Sequence, residues 1–170
     1  MRILVTGCSG FIGSNLCEKL IEENYEVAGI DINSLPKNFK YTSKLVFYKE
    51  DLRDTFSGIT KFQPDIVIHL AALAGVSKSC DIPMEYVDSN ITVSIRLIET
   101  CLKNNVNKII YASSSSVYGN ENNYDTLQTT DRLYSPYSIT KKCCEMFFDY
   151  YHRNRNLSAI GLRFFSVYGP

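Results

Sequence analysis

Gly7-Cys-Ser-Gly10-Phe-Ile-Gly13 decides the fold of this chain, because of what stands on either side of it. Before it, Arg2-Ile-Leu-Val-Thr6 is an apolar, β-branched run that reads as a short buried strand. After it, Phe11, Ile12, Leu16, Leu20 and Ile21 recur at helical spacing. A glycine-rich turn between a strand and a helix is a phosphate cradle. Glycine lets the backbone turn tightly and come close to a ligand. The first helical turn adds unpaired N–H groups at the positive end of the helix dipole. The setting, more than the glycines themselves, makes the motif specific.

Outward from that stretch the pattern alternates. Residues 25–30 read as a second strand ending at Asp31, and residues 45–48 as a third, followed by Asp51-Leu52. Residues 65–70, 108–112 and 157–162 supply a fourth, fifth and sixth strand. One long helix starts near Asp81 and Pro83 and carries Val87, Ile91, Ile95, Ile98 and Leu102 as an apolar stripe. Another starts at Ser135-Pro136, an N-cap with the favoured first-turn proline, and carries Cys144, Phe148 and Tyr151. Strands alternating with helices predict an α/β fold whose doubly wound parallel sheet binds ligands at the carboxyl ends of its strands. The polar stretch 120–132 is expected to be the least ordered.

Composition narrows the partners. At 170 residues, 45% apolar and 12% aromatic, the chain is long enough for one domain with a proper core. Its 18 basic and 18 acidic residues cancel, with no charge block, which argues against nucleic acid and anionic membrane as partners. Met1 leads straight into the first strand and no apolar run spans a bilayer, so a cytoplasmic protein is expected. Cys8, Cys17, Cys80, Cys101, Cys143 and Cys144 form no C-x-x-C pair, and His69 and His152 complete no ligand set with them. Free thiols and no metal are the expectation.

Four further groups carry chemistry. Asp31, at the end of the second strand, can accept hydrogen bonds from both hydroxyls of an adenosine ribose and repels a 2′-phosphate, favouring NAD over NADP. Asp51 and Leu52 are placed to meet the adenine. Tyr137 and Lys141 are one helical turn apart, so they share a face. Free tyrosine, with a pKa of about 10, is a poor base at neutral pH; a nearby ammonium favours the phenolate by roughly one to three units. Ser113-Ser-Ser-Ser116 follows the fifth strand, where hydroxyls can hydrogen-bond a substrate oxygen.

Glycine turn, serine run and Tyr-x-x-x-Lys, in that order, give the chain a specific resemblance. It resembles extended short-chain dehydrogenase/reductases of the NAD-dependent epimerase/dehydratase family, which act on nucleotide sugars. The matching stretches run from Val5-Thr-Gly-Cys-Ser-Gly-Phe-Ile-Gly13 through His69-Leu-Ala-Ala-Leu-Ala-Gly75 and Tyr86-Val-Asp-Ser-Asn90 to Leu162-Arg-Phe-Phe-Ser-Val-Tyr-Gly169. Within the family, the His69 run and Ser113–Gly119 are most similar to UDP-glucuronate 4-epimerases and their relatives.

The resemblance implies a Rossmann fold with bound NAD and assigns roles. Gly7, Gly10, Phe11, Ile12 and Gly13 would hold the pyrophosphate, Asp31 the ribose, and Asp51 and Leu52 the adenine. Leu70, Ala71 and Ala72 would line the cofactor path. Tyr137 would be the base, Lys141 its partner on the nicotinamide ribose, and Ser114 the catalytic hydroxyl. Phe164 would meet the nicotinamide; Asn90, Ser115, Phe165 and Ser166 would support or meet the substrate. The implied reaction is C4 epimerisation of a nucleotide sugar, a UDP-sugar favoured, through a 4-keto intermediate, in a homodimer built on the two long helices. Ser115 and Ser116 stand where dehydratases carry Asp-Glu, which lowers a 4,6-dehydratase reading. A nucleotide-sugar dehydratase or reductase, or a non-catalytic NAD-binding module, stays open as an alternative. Family members run well beyond this length. Residues 1–170 are therefore expected to be the NAD-binding domain without the substrate-binding domain, and weak or no sugar turnover is expected of them alone.

Overall fold

In the computed structural model, which describes residues 1–119, 124–127 and 132–169, β1 (Arg2–Thr6) lies at the centre of one parallel sheet. β2 (Glu26–Asp31) and β3 (Leu45–Lys49) build out on one side of it. β4 (Ile66–His69), β5 (Lys108–Ser114) and β6 (Ser158–Phe164) build out on the other, giving the order β3-β2-β1-β4-β5-β6. After β3 the chain must cross back over the sheet to start β4 beside β1. That reversal opens a crevice at the strand ends. Register brings the ends level: Thr6 pairs with Ile30 and His69, His69 with Tyr111, and Ser114 with Phe164. Most of the stretch expected to be least ordered lies outside the described residues.

Side-chain alternation along the strands builds two cores. On one face Ile3 and Val5 of β1 pack with Cys17 and Ile21 of α1 (Phe11–Glu22). On the other, Leu4 packs with Ile59 and Phe62 of α2 (Ser57–Phe62), Leu97 and Ile98 of α5 (Val93–Lys103) and Phe148 of α6 (Pro136–Arg155). Phe148 stacks on Tyr111 of β5 with 3.8 Å between ring centroids. The α6 start is a reciprocal cap: Ser135 Oγ accepts from the Ser138 amide at 3.1 Å, and Ser138 Oγ accepts from the Ser135 amide at 3.2 Å. Pro136 at the first helical position fixes where Tyr137 begins the helix.

The first long helix departs from its expected stripe. It is built of α4 (Pro83–Tyr86), a π-turn (Val87–Thr92) and α5. The wider π-turn adds a residue to the helix and rotates the buried face. Tyr86, Asn90, Val93, Leu97, Ile98 and Cys101 are buried, whereas Val87, Ile91 and Ile95 are only partly so. Three short elements were not expected from the sequence: α2, α3 (Val76–Asp81) and a 3-10 turn (Ser115–Tyr118). β5 and β6 each run two residues past their expected ends, which carries Ser114 and Phe164 to the tips of paired strands.

Candidate active site

The glycine turn is close-packed as well as tight. Gly7 has φ +71°, and a Cβ there would lie 2.8 Å from the Ala71 amide nitrogen. A Cβ at Gly13 would lie 2.1 Å from the Gly7 carbonyl oxygen. Glycine is required at both for steric reasons, and the first turn of α1 carries no side-chain cap that would compete for its amides. Asp31 closes this end of the crevice. Its carboxylate accepts from the Ser9 amide at 3.0 Å and the Asn33 amide at 2.8 Å. Two backbone donors fix its orientation while lone pairs remain for ribose hydroxyls. A cavity of about 480 Å³ lies beside it, lined by Gly7, Gly10, Asp31, Asp51, Leu52 and Ala71 among others. The Asp51 carboxylate is held by Arg53, with Nη2 at 2.6 Å, and those hydrogen bonds keep its carboxyl below the ordinary range.

A second cavity of about 730 Å³ shares Gly7, Gly10, Leu70 and Ala72 with the first, so the two are ends of one cleft. Phe11, Ile12 and Gly13 line it at the helix end, and Tyr137, Lys141, Ser114, Ser115, Phe164, Phe165 and Ser166 line it at the far end. Residues up to 160 positions apart in the sequence thus line one cavity.

Lys141 is buried, and its Nζ donates to the Ala112 carbonyl at 2.9 Å and sits 5.9 Å from the centre of the Tyr137 ring. Burial lowers its pKa from the ordinary lysine value. Ser114 Oγ accepts from the Ser116 amide at 3.2 Å and lies 2.9 Å from Ser116 Oγ. With its acceptor side engaged, its own proton is available to an incoming oxygen. One turn beyond Lys141, Glu145 accepts from Ser113 Oγ at 2.6 Å and from Arg163 Nε at 2.8 Å and Nη2 at 2.9 Å. Lys141 and Glu145 thereby clamp α6 onto the end of β5 at consecutive residues.

Asn90 does not line the cleft. It is buried behind it, with its side chain accepting from the Leu73 amide at 2.8 Å and donating to the Leu73 carbonyl at 3.0 Å and Thr140 Oγ1 at 3.1 Å. His69 is likewise internal, between Thr6 Oγ1 at 2.8 Å and Ser94 Oγ at 3.1 Å. Burial, then the Lys141 charge, pushes its pKa down to about 3, so it is neutral and structural.

The sequence profile of the NAD dependent epimerase/dehydratase family matches residues 3–170. The chain belongs to this family. It is 38% identical to Protein CapI of Staphylococcus aureus, over all of this chain and 55% of that protein. It is 37% identical to a UDP-glucuronate 4-epimerase of Thermodesulfobacterium geofontis, over 98% of this chain and 56% of the relative. In three dimensions it matches the UDP-glucuronic acid 4-epimerase of Bacillus cereus, solved in complex with NAD, with TM-score 0.88 and 36% identity over all of this chain and 58% of that one. The chain thus spans a little over half the length of these family members.

Family membership sharpens the fit test for the dinucleotide. The crowded glycine turn, the anchored Asp31 and two cavities that share Gly7, Gly10, Leu70 and Ala72 between Asp31 and Lys141 suit NAD in chemistry. Among the described residues no group of three His, Cys, Asp or Glu side chains is arranged to hold a metal, and all six cysteines are free. Ser9, Asn33, Tyr86, Glu145 and Arg163 were missed in the sequence. Glu145 had a usable signal, since Tyr137, Lys141 and Glu145 fall on one stripe four residues apart; the partners of the others lie across the sheet.

Proposed function

We propose that this chain is the NAD-binding domain of a nucleotide-sugar 4-epimerase acting on UDP-sugars. The observation that carries the reading is the convergence of Tyr137, Lys141 and Ser114 at one end of a cleft whose other end is Asp31. In this reading Gly7, Gly10 and Gly13 admit the pyrophosphate, Asp31 holds the adenosine ribose, and Lys141 the nicotinamide ribose. When bound, NAD supplies a two-electron acceptor that returns the same electrons to the sugar. Tyr137 takes the proton of the sugar 4-hydroxyl, and the Lys141 ammonium beside its ring stabilises the phenolate. Ser114 donates a hydrogen bond to the C4 oxygen as it becomes a carbonyl. Tyr137 then returns the proton after the keto sugar has turned its other face.

One observation favours epimerase over dehydratase. No Asp or Glu lines the catalytic end of the cleft among the described residues, so no carboxyl is placed to expel water. Relatives described as epimerases of UDP-glucose, UDP-glucuronate and UDP-N-acetylglucosamine support the sugar class. The exposed apolar face of α6, with Met146, Phe147 and Tyr150, supports a homodimer. No described helix is long and apolar enough to cross a membrane, and soluble substrates with free thiols support a cytoplasmic site.

The test is incubation of stoichiometric chain with NAD and UDP-glucuronate, UDP-glucose or UDP-N-acetylglucosamine, following C4 configuration by proton NMR. Slow conversion to the 4-epimer is expected, lost in Tyr137→Phe, which still binds NAD. A dehydrated product, conversion unchanged in Tyr137→Phe, or failure to bind NAD contradicts the reading.

A further inference from the structure

The loop after β4, residues 70–75, lines both halves of the cleft through Leu70, Ala72 and Leu73 or Ala74. It has no strand or helix hydrogen bonding of its own along residues 71–75, so something else must hold it. Two side chains from one helix do so. Tyr86, fully buried at the end of α4, donates its hydroxyl to the Ala74 carbonyl at 2.7 Å, with the Gly75 carbonyl at 3.1 Å. Asn90, four residues on in the π-turn, holds both backbone groups of Leu73. Gly75, at φ +105°, turns the loop into α3.

The same two side chains also reach the catalytic helix. The Tyr86 ring meets the Tyr137 ring edge-on, with 6.2 Å between centroids and 82° between planes. Asn90 Nδ2 donates to Thr140 Oγ1, three residues after Tyr137. Burial raises the Tyr86 pKa, which keeps its hydroxyl a donor. The π-turn brings Tyr86 and Asn90 to one buried face, so the irregular helix acts as a strut between loop and base.

From this geometry we propose that Tyr86 is a positioning residue that sets the cofactor-facing loop and the Tyr137 ring together. The proposal rests on the reading of Tyr137 as base given above. Removing the hydroxyl takes away the donor that the Ala74 and Gly75 carbonyls share and frees the loop; removing the ring also frees Tyr137.

The experiment compares the 170-residue chain with Tyr86→Phe and Tyr86→Leu by NAD calorimetry, melting and amide hydrogen exchange. Tyr86→Phe is expected to bind NAD about 2- to 10-fold more weakly, the loss of roughly one part-buried hydrogen bond. It should exchange faster at residues 71–75, and Tyr86→Leu should bind more weakly still. A purely structural tyrosine would lower the melting temperature without changing the NAD affinity of folded molecules, and that result overturns the proposal. Where Tyr86→Phe does not fold, the wild-type chain decides. NAD should slow exchange in residues 71–75 and 83–92 together, and slowing in the loop alone overturns the coupling. Sugar turnover separates the two readings. A Tyr86-dependent NAD affinity in a chain that yields a dehydrated sugar sinks the epimerase and leaves the strut. In a chain that does convert sugar, Tyr86→Phe should lower kcat at saturating NAD with an unchanged sugar KM. Kinetics and affinity identical to wild type there sink the strut and leave the epimerase.

Discussion

Individual residues in this chain are constrained by what surrounds them more than by their own type. Gly13 is required because any side chain collides with the Gly7 carbonyl, so Gly13→Ala is expected to cost more than about 2 kcal/mol and to abolish NAD binding. Melting and calorimetry check this. Asp31 is held by two amides, and replacing it with Ser removes a charged acceptor worth about 1.5–3 kcal/mol, or roughly 10- to 100-fold in NAD affinity. NADP should bind Asp31→Ser better than it binds the wild type; titration of both cofactors decides. His69 sets a pH limit. Its folded pKa, about 3, lies below the ordinary 6.5, so its contribution is complete above pH 6.5 and lost as pH falls from there toward 3. His69→Gln, neutral throughout, should flatten the stability profile in that window in denaturant titrations.

Elements make the site by holding one another in register. Glu145 and Arg163, both largely buried, tie α6 to β6, while Ser113 ties the same carboxylate to β5. Burial would raise the Glu145 pKa, but hydrogen bonds from Arg163 and Ser113 and the charges of Arg163 and Lys142 outweigh it and leave it lowered. Glu145→Gln is expected to cost about 3 kcal/mol, and a double-mutant cycle with Arg163→Met should show coupling above about 1 kcal/mol in urea melts. Additive effects would mean that the pair does not act as a unit. How far the sequence reveals these elements depends on the signal each carries. The strand around Val5, the glycine turn and the Ser135-Pro136 cap are legible because apolar period and cap chemistry are local. α2 and α3 are not, because their N-caps are Phe56 and Gly75, which offer no polar cap. The π-turn is invisible to any reading that assumes 3.6 residues per turn, and it places Asn90 behind the cleft, its amide engaged with Leu73 and Thr140. The convergence of Ser114 with Tyr137 was legible only through motif order, since spacing alone cannot bring a strand tip to a helix start.

At the scale of the molecule, the described chain carries unpaired apolar surface in two places. β6 is the last strand in the order of the described sheet, with Ile160 58% and Leu162 40% exposed. On α6, Phe147 and Tyr150 are 37% and 50% exposed, and in the proposed homodimer built on this face Phe147→Asp should shift sedimentation toward monomer. Both faces lie away from the cleft, whose two ends must take one molecule for the account to hold. A crystal structure of the chain with NAD tests that claim most directly. The account predicts the adenosine ribose on Asp31, the pyrophosphate over residues 7–13, and the nicotinamide beside Tyr137, Lys141 and Ser114. NAD bound elsewhere, or with its nicotinamide end turned away from Tyr137, would contradict it.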